Sequence, residues 1–472
     1  MKNSGKKNFI YNLIYQLFVL ITPLITAPYI SRVFGPDGVG VYSFNYSIAT
    51  YFVYFCLLGI NNYGVREIAK CQTDDERNAT FSSVYFTQFI VSFVVLAAYS
   101  IYLFSFNIDN KIIAICFIPY VLSGMIDINW FFFGTEKFSV TTIRNCIVKT
   151  LMIVCVFIFV KSSSDLWVYC LIISFAALLT QLIMWISFFR VGRIKKPNIK
   201  LFAKHLKGMS VLFVPVLAVS LYRIMDKIML GFFTTKDYVG YYENAEQIIG
   251  VPGTITTALG TAMLPRMTNM LATNKENHFN GLFRNSVFFV EFICFPMAFG
   301  ILAVSDTFIP LYYGQEFEHS SIILKILCIS FVFSSLASVL RTQYLIPKNK
   351  DKIYIGSVIS GAVVNLVANL ILIPHFNAIG AAIGTVIANI VVALYQFVFV
   401  FKEYKNVKCY SKGIPFIFFG FAMYLLIIGI SRFLHLNNFL LLIVQVFIGI
   451  ASYSLLSIPF LLTKKGEHIY AN

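Results

Sequence analysis

The sequence predicts an all-α integral membrane protein of about 14 transmembrane helices. Three observations carry the prediction: the scarcity of charge, the length of the uncharged runs, and the side on which the basic residues collect. Charged residues make up 12% of the chain and hydrophobic residues 58%. That is about half the charge of a soluble domain. A water-soluble fold of 472 residues needs more polar surface than this, whereas lipid lets apolar side chains face outward as well as inward.

The uncharged runs have the length that a bilayer demands. At about 1.5 Å per residue, roughly 20 helical residues cross a hydrocarbon core of about 30 Å. Segments 8–31, 38–65 and 80–108 hold no Lys, Arg, Asp or Glu, and 353–401 lacks them for 49 residues. Pro374, His375 and Asn377 interrupt that last run, which reads as two crossings joined by a tight turn. The expected spans are 10–31, 39–62, 80–105, 112–133, 142–160, 166–189, 209–233, 240–263, 284–305, 322–342, 353–374, 378–401, 413–432 and 438–462. The first follows Lys2, Lys6 and Lys7 without a small-residue cleavage site, so it reads as a membrane helix and not as a secretion signal.

An even number of spans puts both termini on one side. With that side cytoplasmic, the cytoplasmic segments hold 28 Lys and Arg against 5 in the external ones. This bias is the positive-inside pattern, so the expected location is a bacterial cytoplasmic membrane with both termini in the cytoplasm. It also accounts for the net charge of +16 through anionic headgroups, without nucleic acid. The nine cysteines form no CxxC, and seven of them, such as Cys56 and Cys294, lie in or near apolar spans as small hydrophobes. No metal site or cofactor is expected.

The domain organisation follows from a basic segment and an internal echo. Val39-Gly40-Val41-Tyr42, Leu58-Gly59 and Arg66 recur as Val239-Gly240-Tyr241-Tyr242, Leu259-Gly260 and Arg266, at an offset of 200 residues within one position. Two six-helix lobes, 1–190 and 209–401, are expected on either side of a basic cytoplasmic linker at 191–208. Two further helices lie within 413–462, followed by a cytoplasmic tail at 463–472. Paired bundles with a central site are a common transporter plan.

A charge inside hydrocarbon costs roughly 3 kcal/mol on insertion scales, so such residues mark cavities or pairs. The seventh span carries Arg223, Asp226 and Lys227 at spacings of three and four, on adjacent turns of one face. One carboxylate cannot balance two bases, so this face is expected to line a hydrated cavity and offer positive charge to an anionic headgroup. The packing alternative has Asp226 neutralising a neighbour. Glu246 is placed to pair with Arg223 or Lys227, while Glu243 reads as a residue of the external end. Glu291 and Asp127 are further intramembrane acids, read with Asp226 and Glu246 as charge partners or coupling groups. Arg32, Arg66, Arg144 and Lys149 lie at span ends, where they line the headgroup path or snorkel to the interface. Asn365, Asn369 and Gln88 are amides for sugar hydroxyls or for helix–helix bonds.

Enzyme classes find no support in the motifs. GxxxxGK[ST], GxSxG and HExxH are all missing. A membrane polysaccharide polymerase is the main enzymatic alternative, but it needs catalytic groups on sizeable external loops, and the external segments here are short. Prolines at 23, 28, 119, 215, 252, 265, 296 and 374 fall in or at the ends of spans, where they allow bends.

Four stretches stand out as motifs: Asn12-Leu13-Ile14-Tyr15-Gln16, Pro23 to Arg32, Leu58 to Ala69 and Leu259 to Arg266. In them the chain resembles the polysaccharide and oligosaccharide repeat-unit flippases of the multidrug/oligosaccharidyl-lipid/polysaccharide exporter superfamily. The resemblance implies two six-helix lobes in a V shape with two extra C-terminal helices. It also implies movement of undecaprenyl-pyrophosphate-linked oligosaccharide from the inner to the outer leaflet by alternating access, for capsular or exopolysaccharide synthesis. The headgroup site it implies falls on Arg32, Arg66, Arg223 and Lys227, with H+ or Na+ as candidate coupling ions. Partners would be the anionic lipid-linked oligosaccharide and the phospholipid bilayer, in functional coupling with a polysaccharide polymerase and glycosyltransferases. Teichoic-acid or peptidoglycan-precursor flipping and multidrug/cation antiport are the alternatives within that superfamily.

Overall fold

A computed structural model describes the backbone of residues 2–105, 109–403 and 413–465, with side chains at 21–105, 109–137, 141–221, 223–402 and 413–462. The described residues are nearly all helical, joined by short loops, with short 3-10 and π turns and no strand. Helix is the outcome that hydrocarbon imposes, because each backbone N–H and C=O must find its partner within the segment. Among the described residues, twelve helical runs are long and apolar enough to cross a membrane. Two of them are double length: Ile21–Ala69 has 49 residues and Asp351–Lys402 has 52. Each breaks at a residue off helical geometry, Gly35 (φ 65°, ψ −177°) and Asn377 (φ 51°, ψ −132°). Beyond the second break, a Cβ on Gly380 would stand 2.4 Å from the Leu372 carbonyl oxygen. In a straight helix these residues would lie about 12 Å apart, so the chain reverses there, as Pro374 and Asn377 predict. Counting each double run as two gives fourteen apolar helical stretches among the described residues, by length and composition alone.

The chain divides into two compact units, Met1–Ser220 and Leu221–Asn472. The first holds α1 (Lys2–Leu57), α2 (Ile60–Ala69), α3 (Asp74–Ser105), α4 (Lys111–Cys116), α5 (Ile118–Met125), α6 (Asn129–Gly134), α7 (Phe138–Phe159), α8 (Leu166–Phe188) and the start of α9 (Phe202–Phe233). Its core includes a stack in which Phe81 lies 4.1 Å from Phe188 and 5.3 Å from Trp130, ring centre to ring centre. The sequence places the division in the basic segment, but it falls inside α9. The reason is packing: Met209 is fully buried with Ile60, Tyr63 and Trp130, and Leu212 packs against the same cluster.

Gly59 and Gly260, a matched pair of the internal echo, do different work. Gly59 (φ 77°) caps the start of α2, and a Cβ there would meet Phe213 N at 2.7 Å and Met209 O at 2.8 Å. Its missing side chain lets the α1–α2 turn touch the backbone of α9. Gly260 stays within a continuous helix and lies against Thr342, whose Oγ1 would be 2.6 Å from a Cβ.

The second unit comprises the rest of α9 with α10 (Lys236–Ala272), α11 (Glu276–Tyr313), α12 (His319–Leu340), α13 (Asp351–Glu403), α14 (Ile414–Phe433) and α15 (Asn438–Lys465). A π turn at Arg341–Leu345 extends α12. Phe279, Phe283, Val287, Leu340 and Tyr344 are buried in its core. The last two helices dock on α11 through Phe416, Met423 and Tyr453, and Tyr453 donates to the Phe292 carbonyl at 2.8 Å. Large apolar side chains such as Phe104, Phe433 and Phe447 stand exposed at 73–83%, as a lipid-facing surface requires and an aqueous one disfavours.

Gly59→Ala should therefore destabilise the protein by about 2–3 kcal/mol, because it combines positive φ with backbone contacts that cannot yield. The melting midpoint in detergent micelles should fall by several degrees, while Gly253→Ala, with open space around its Cα, leaves the midpoint in place.

Candidate functional site

The membrane-embedded charges of α9 fan outward. Successive helical residues turn by about 100°, so consecutive Asp226 and Lys227 diverge by that angle. Lys227 reaches α10, where its Nζ lies 2.9 Å from Glu243 Oε2 and 3.1 Å from Glu246 Oε2. Glu243 and Glu246 sit one turn apart on α10, a spacing that brings both to one base. Side-chain exposure is 14% for Lys227 and 25% and 35% for the two acids, so the trio is shielded yet not dry.

Asp226 is 1% exposed and takes a different direction. Its carboxylate accepts from the Tyr242 hydroxyl at 2.6 Å, the Thr385 hydroxyl at 2.5 Å and the Asn369 amide at 2.5 Å. Asn369 also donates to Asn365 Oδ1 at 3.3 Å. Asn389 holds the neighbouring backbone by donating to the Thr385 carbonyl at 3.0 Å. Gly384 allows this closeness, since a Cβ there would stand 2.2 Å from Asn369 Oδ1. The result is a buried carboxylate bonded by neutral polar groups from α10 and α13, with no base among the described residues in an ion pair with it.

These contacts correct three expectations. The surplus of positive charge on the seventh span does not survive folding: Asp226, Glu243 and Glu246 stand against Arg223 and Lys227. Lys227 is already engaged by two acids and is no open headgroup ligand. Asn365 and Asn369, 1% and 0% exposed, serve Asp226 and are not placed for sugar contact. Arg223 alone of the five charged groups is exposed, and it makes no hydrogen bond or ion pair among the described residues.

In the first unit Arg32 on α1 and Arg66 on α2 are exposed. Arg144 is 5% exposed and gives its guanidinium to Asn145 at 2.7 Å and Asn129 at 3.1 Å. Asp127 accepts the Asn129 N–H at 2.8 Å. Arg144 and Asp127 are thus tied through Asn129 into a local brace, which corrects their reading as headgroup ligand and coupling acid. Lys149 is half-buried on α7. Gln88, fully buried, donates to the Gly124 and Asp127 carbonyls at 3.1 and 2.9 Å and accepts from Trp130 Nε1 at 3.2 Å. It staples α3 to the α5–α6 region, with both of its amide N–H donors spent inside the protein. Glu291 is 5% exposed on α11 with its Oε2 unbonded, pressed against Gly413 at the start of α14. No base among the described residues forms an ion pair with it.

The sequence left Glu243 at the external end and did not single out Tyr242 or Thr385 as site residues. The i, i+3 pair of glutamates was a usable signal for the first, and the echoed Val-Gly-Tyr-Tyr motif for the second. Thr385 lies in the long uncharged run, where nothing in the sequence singles it out.

Comparison with known proteins fits this fold. The chain is 25% identical over 414 residues to a putative O-antigen transporter of Escherichia coli K12, covering 86% of this chain and 99% of that one. It is 24% identical over 243 residues to a probable low-salt glycan biosynthesis flippase, Agl15, of Haloferax volcanii, covering 50% of each. Its fold superposes on the inward closed conformation of lipid II flippase MurJ with a TM-score of 0.80 at 17% identity, covering 96% of this chain and 98% of that one. At that identity the likeness is one of fold. The family model for polysaccharide biosynthesis protein matches residues 6–271, more than half of the sequence, and the chain belongs to that family.

Proposed function

We propose that this protein is a flippase for a lipid-linked saccharide with an anionic phosphate-type headgroup, working by alternating access in a bacterial cytoplasmic membrane. The family match carries the reading. The similarity to a putative O-antigen transporter and a probable glycan flippase supports it. An undecaprenyl-pyrophosphate carrier and a capsular or exopolysaccharide product are the specific forms proposed, with the inner leaflet as the loading side. A partner polymerase and glycosyltransferases would stand on either side of the step.

The charge presented matters more than the charge counted. Glu243 and Glu246 share Lys227, and Asp226 is enclosed by hydrogen-bond donors, so the exposed member of the group is Arg223. A guanidinium offers a phosphate two parallel N–H bonds, replacing the water that the headgroup gives up. An arriving phosphate also competes with the two glutamates for Lys227. Arg32 and Arg66, exposed in the first unit, are proposed as further headgroup contacts, and Lys149 as a weaker one.

Asp226 is the proposed coupling group. A carboxylate in hydrocarbon without a counter-ion is a natural receptor for a small cation. A proton fits it directly. Na+ fits as well, since hard cations take oxygen ligands and the Asp226, Tyr242 and Thr385 oxygens meet there. Asp226 and Lys227 are consecutive on α9, and Tyr242 and Glu243 are consecutive on α10. A change in the charge of Asp226 is thereby passed to the Lys227 pairs one residue away.

The acid surplus in the α9–α10 group favours one second reading, export of a cationic drug. Binding measurements separate the two. Arg223→Gln should weaken binding of a pyrophosphate-linked polyprenyl saccharide about tenfold or more with no change in melting midpoint. Tighter binding of a hydrophobic cation than of that lipid, unaffected by the substitution, would decide for the drug reading.

Two more outcomes follow from the pairing. Asp226→Asn should leave lipid binding within about twofold while removing the dependence of transport on an imposed H+ or Na+ gradient, measured in vesicles. Lys227→Gln strands two partly buried carboxylates and should cost about 1–3 kcal/mol of stability, which the triple change Lys227→Gln, Glu243→Gln, Glu246→Gln should largely recover in the same melting assay.

A further inference from the structure

The segment joining α8 to α9 is strapped to the bundle. Three backbone N–H groups of this stretch are taken by side chains of α3: Arg193 N by Asn78 Oδ1 at 3.0 Å, Lys195 N by Ser82 Oγ at 2.8 Å, and Asn198 N by Ser83 Oγ at 3.0 Å. The serine hydroxyls give their own hydrogens to the Asn78 and Ala79 carbonyls, four residues back, which leaves their lone pairs facing the strap. Lys195 Nζ adds an ion pair to Asp75 at 2.6 Å. Gly192 lets the chain pass closely, since a Cβ there would be 2.7 Å from the Phe188 ring and 3.2 Å from Asn78 Oδ1.

A strap held this way cannot turn its apolar residues inward, and the bundle does not cover them. Phe189, Ile194 and Ile199 are exposed at 61, 57 and 65%. Between them stand Arg190, Arg193, Lys196 and Lys200, all exposed, and Lys204 and Lys207 follow on α9. Residues 190–208 carry seven bases and no acid. The nearby acids are spent: Asp75 pairs with Lys195, Asp74 with Arg77 at 2.7 Å, and Glu76 caps the turn at Gln72 and Thr73. The strap also lies where the apolar runs of α3 and α8 end, at the depth where hydrocarbon gives way to headgroups.

We infer that this strap is a docking surface for anionic phospholipid, with Ile194 and Ile199 entering the acyl boundary and the bases binding headgroup phosphates. Isolated bases would suit water, and isolated apolar residues any interface. Their alternation on a fixed backbone matches the charge and the polarity gradient of an anionic leaflet. This surface is separate from the Arg223 group and does not depend on the identity of the cargo. Its role is to fix the first unit against the lipid.

The test uses the full chain in phosphatidylcholine vesicles, with Ile194→Trp as reporter over a parent whose tryptophans are Trp130, Trp167 and Trp185. Dibrominated phosphatidylglycerol should quench the added fluorescence several-fold more than the same share of dibrominated phosphatidylcholine. Changing Arg190, Arg193, Lys196 and Lys200 together to Gln in that background should erase the preference. Quenching by neither lipid, as for a surface covered by protein or water, would overturn the inference. Equal quenching by both, or a preference that survives the four changes, would do the same.

Discussion

A charge placed in hydrocarbon must be compensated, and the second unit is organised around that requirement. Lys227 has two carboxylates within 3.1 Å, and Asp226 is closed in by a phenol, a hydroxyl and an amide. Neither arrangement is a cheap route to stability, because desolvated ion pairs and buried acids return little when compared with apolar packing. Their presence in the spans is better explained by work that needs charge to be held, exposed and released.

The geometry makes that work local. Asp226 reaches α10 and α13, Lys227 reaches α10 alone, and the two are neighbours on one helix. Any event that alters one carboxylate changes the field at the adjacent ammonium over a distance too short for salt to screen. The amides on α13 set how tightly the acid is enclosed, and Gly384 makes the enclosure sterically allowed.

Much of the fold could be read from the sequence because the bilayer fixes the length scale. Uncharged runs of about 20 residues, the break at Pro374 to Asn377 and the helical pair after residue 413 all follow from that. The site was less legible. Periodicity puts Arg223, Asp226 and Lys227 on one face but does not say which neighbour each meets, and a turn of 100° separates an enclosed acid from a paired base. Gln88, Asn369 and Arg144 look alike as polar residues in apolar spans, yet each is committed to a protein partner that lies 15 to 143 residues away along the chain. The division between the units followed packing at Met209 and not the basic segment, because contacts, and not composition, define a compact unit.

Transbilayer movement itself tests the central claim most directly. Vesicles containing only the purified chain, loaded on one leaflet with a fluorescent pyrophosphate-linked polyprenyl saccharide, allow that movement to be followed by the access of an impermeant quencher. The account predicts movement well above that in protein-free vesicles, and a rate that falls when the pyrophosphate link is replaced by a neutral one. Movement no faster than in protein-free vesicles, or equal rates for the charged and neutral lipids, would contradict it.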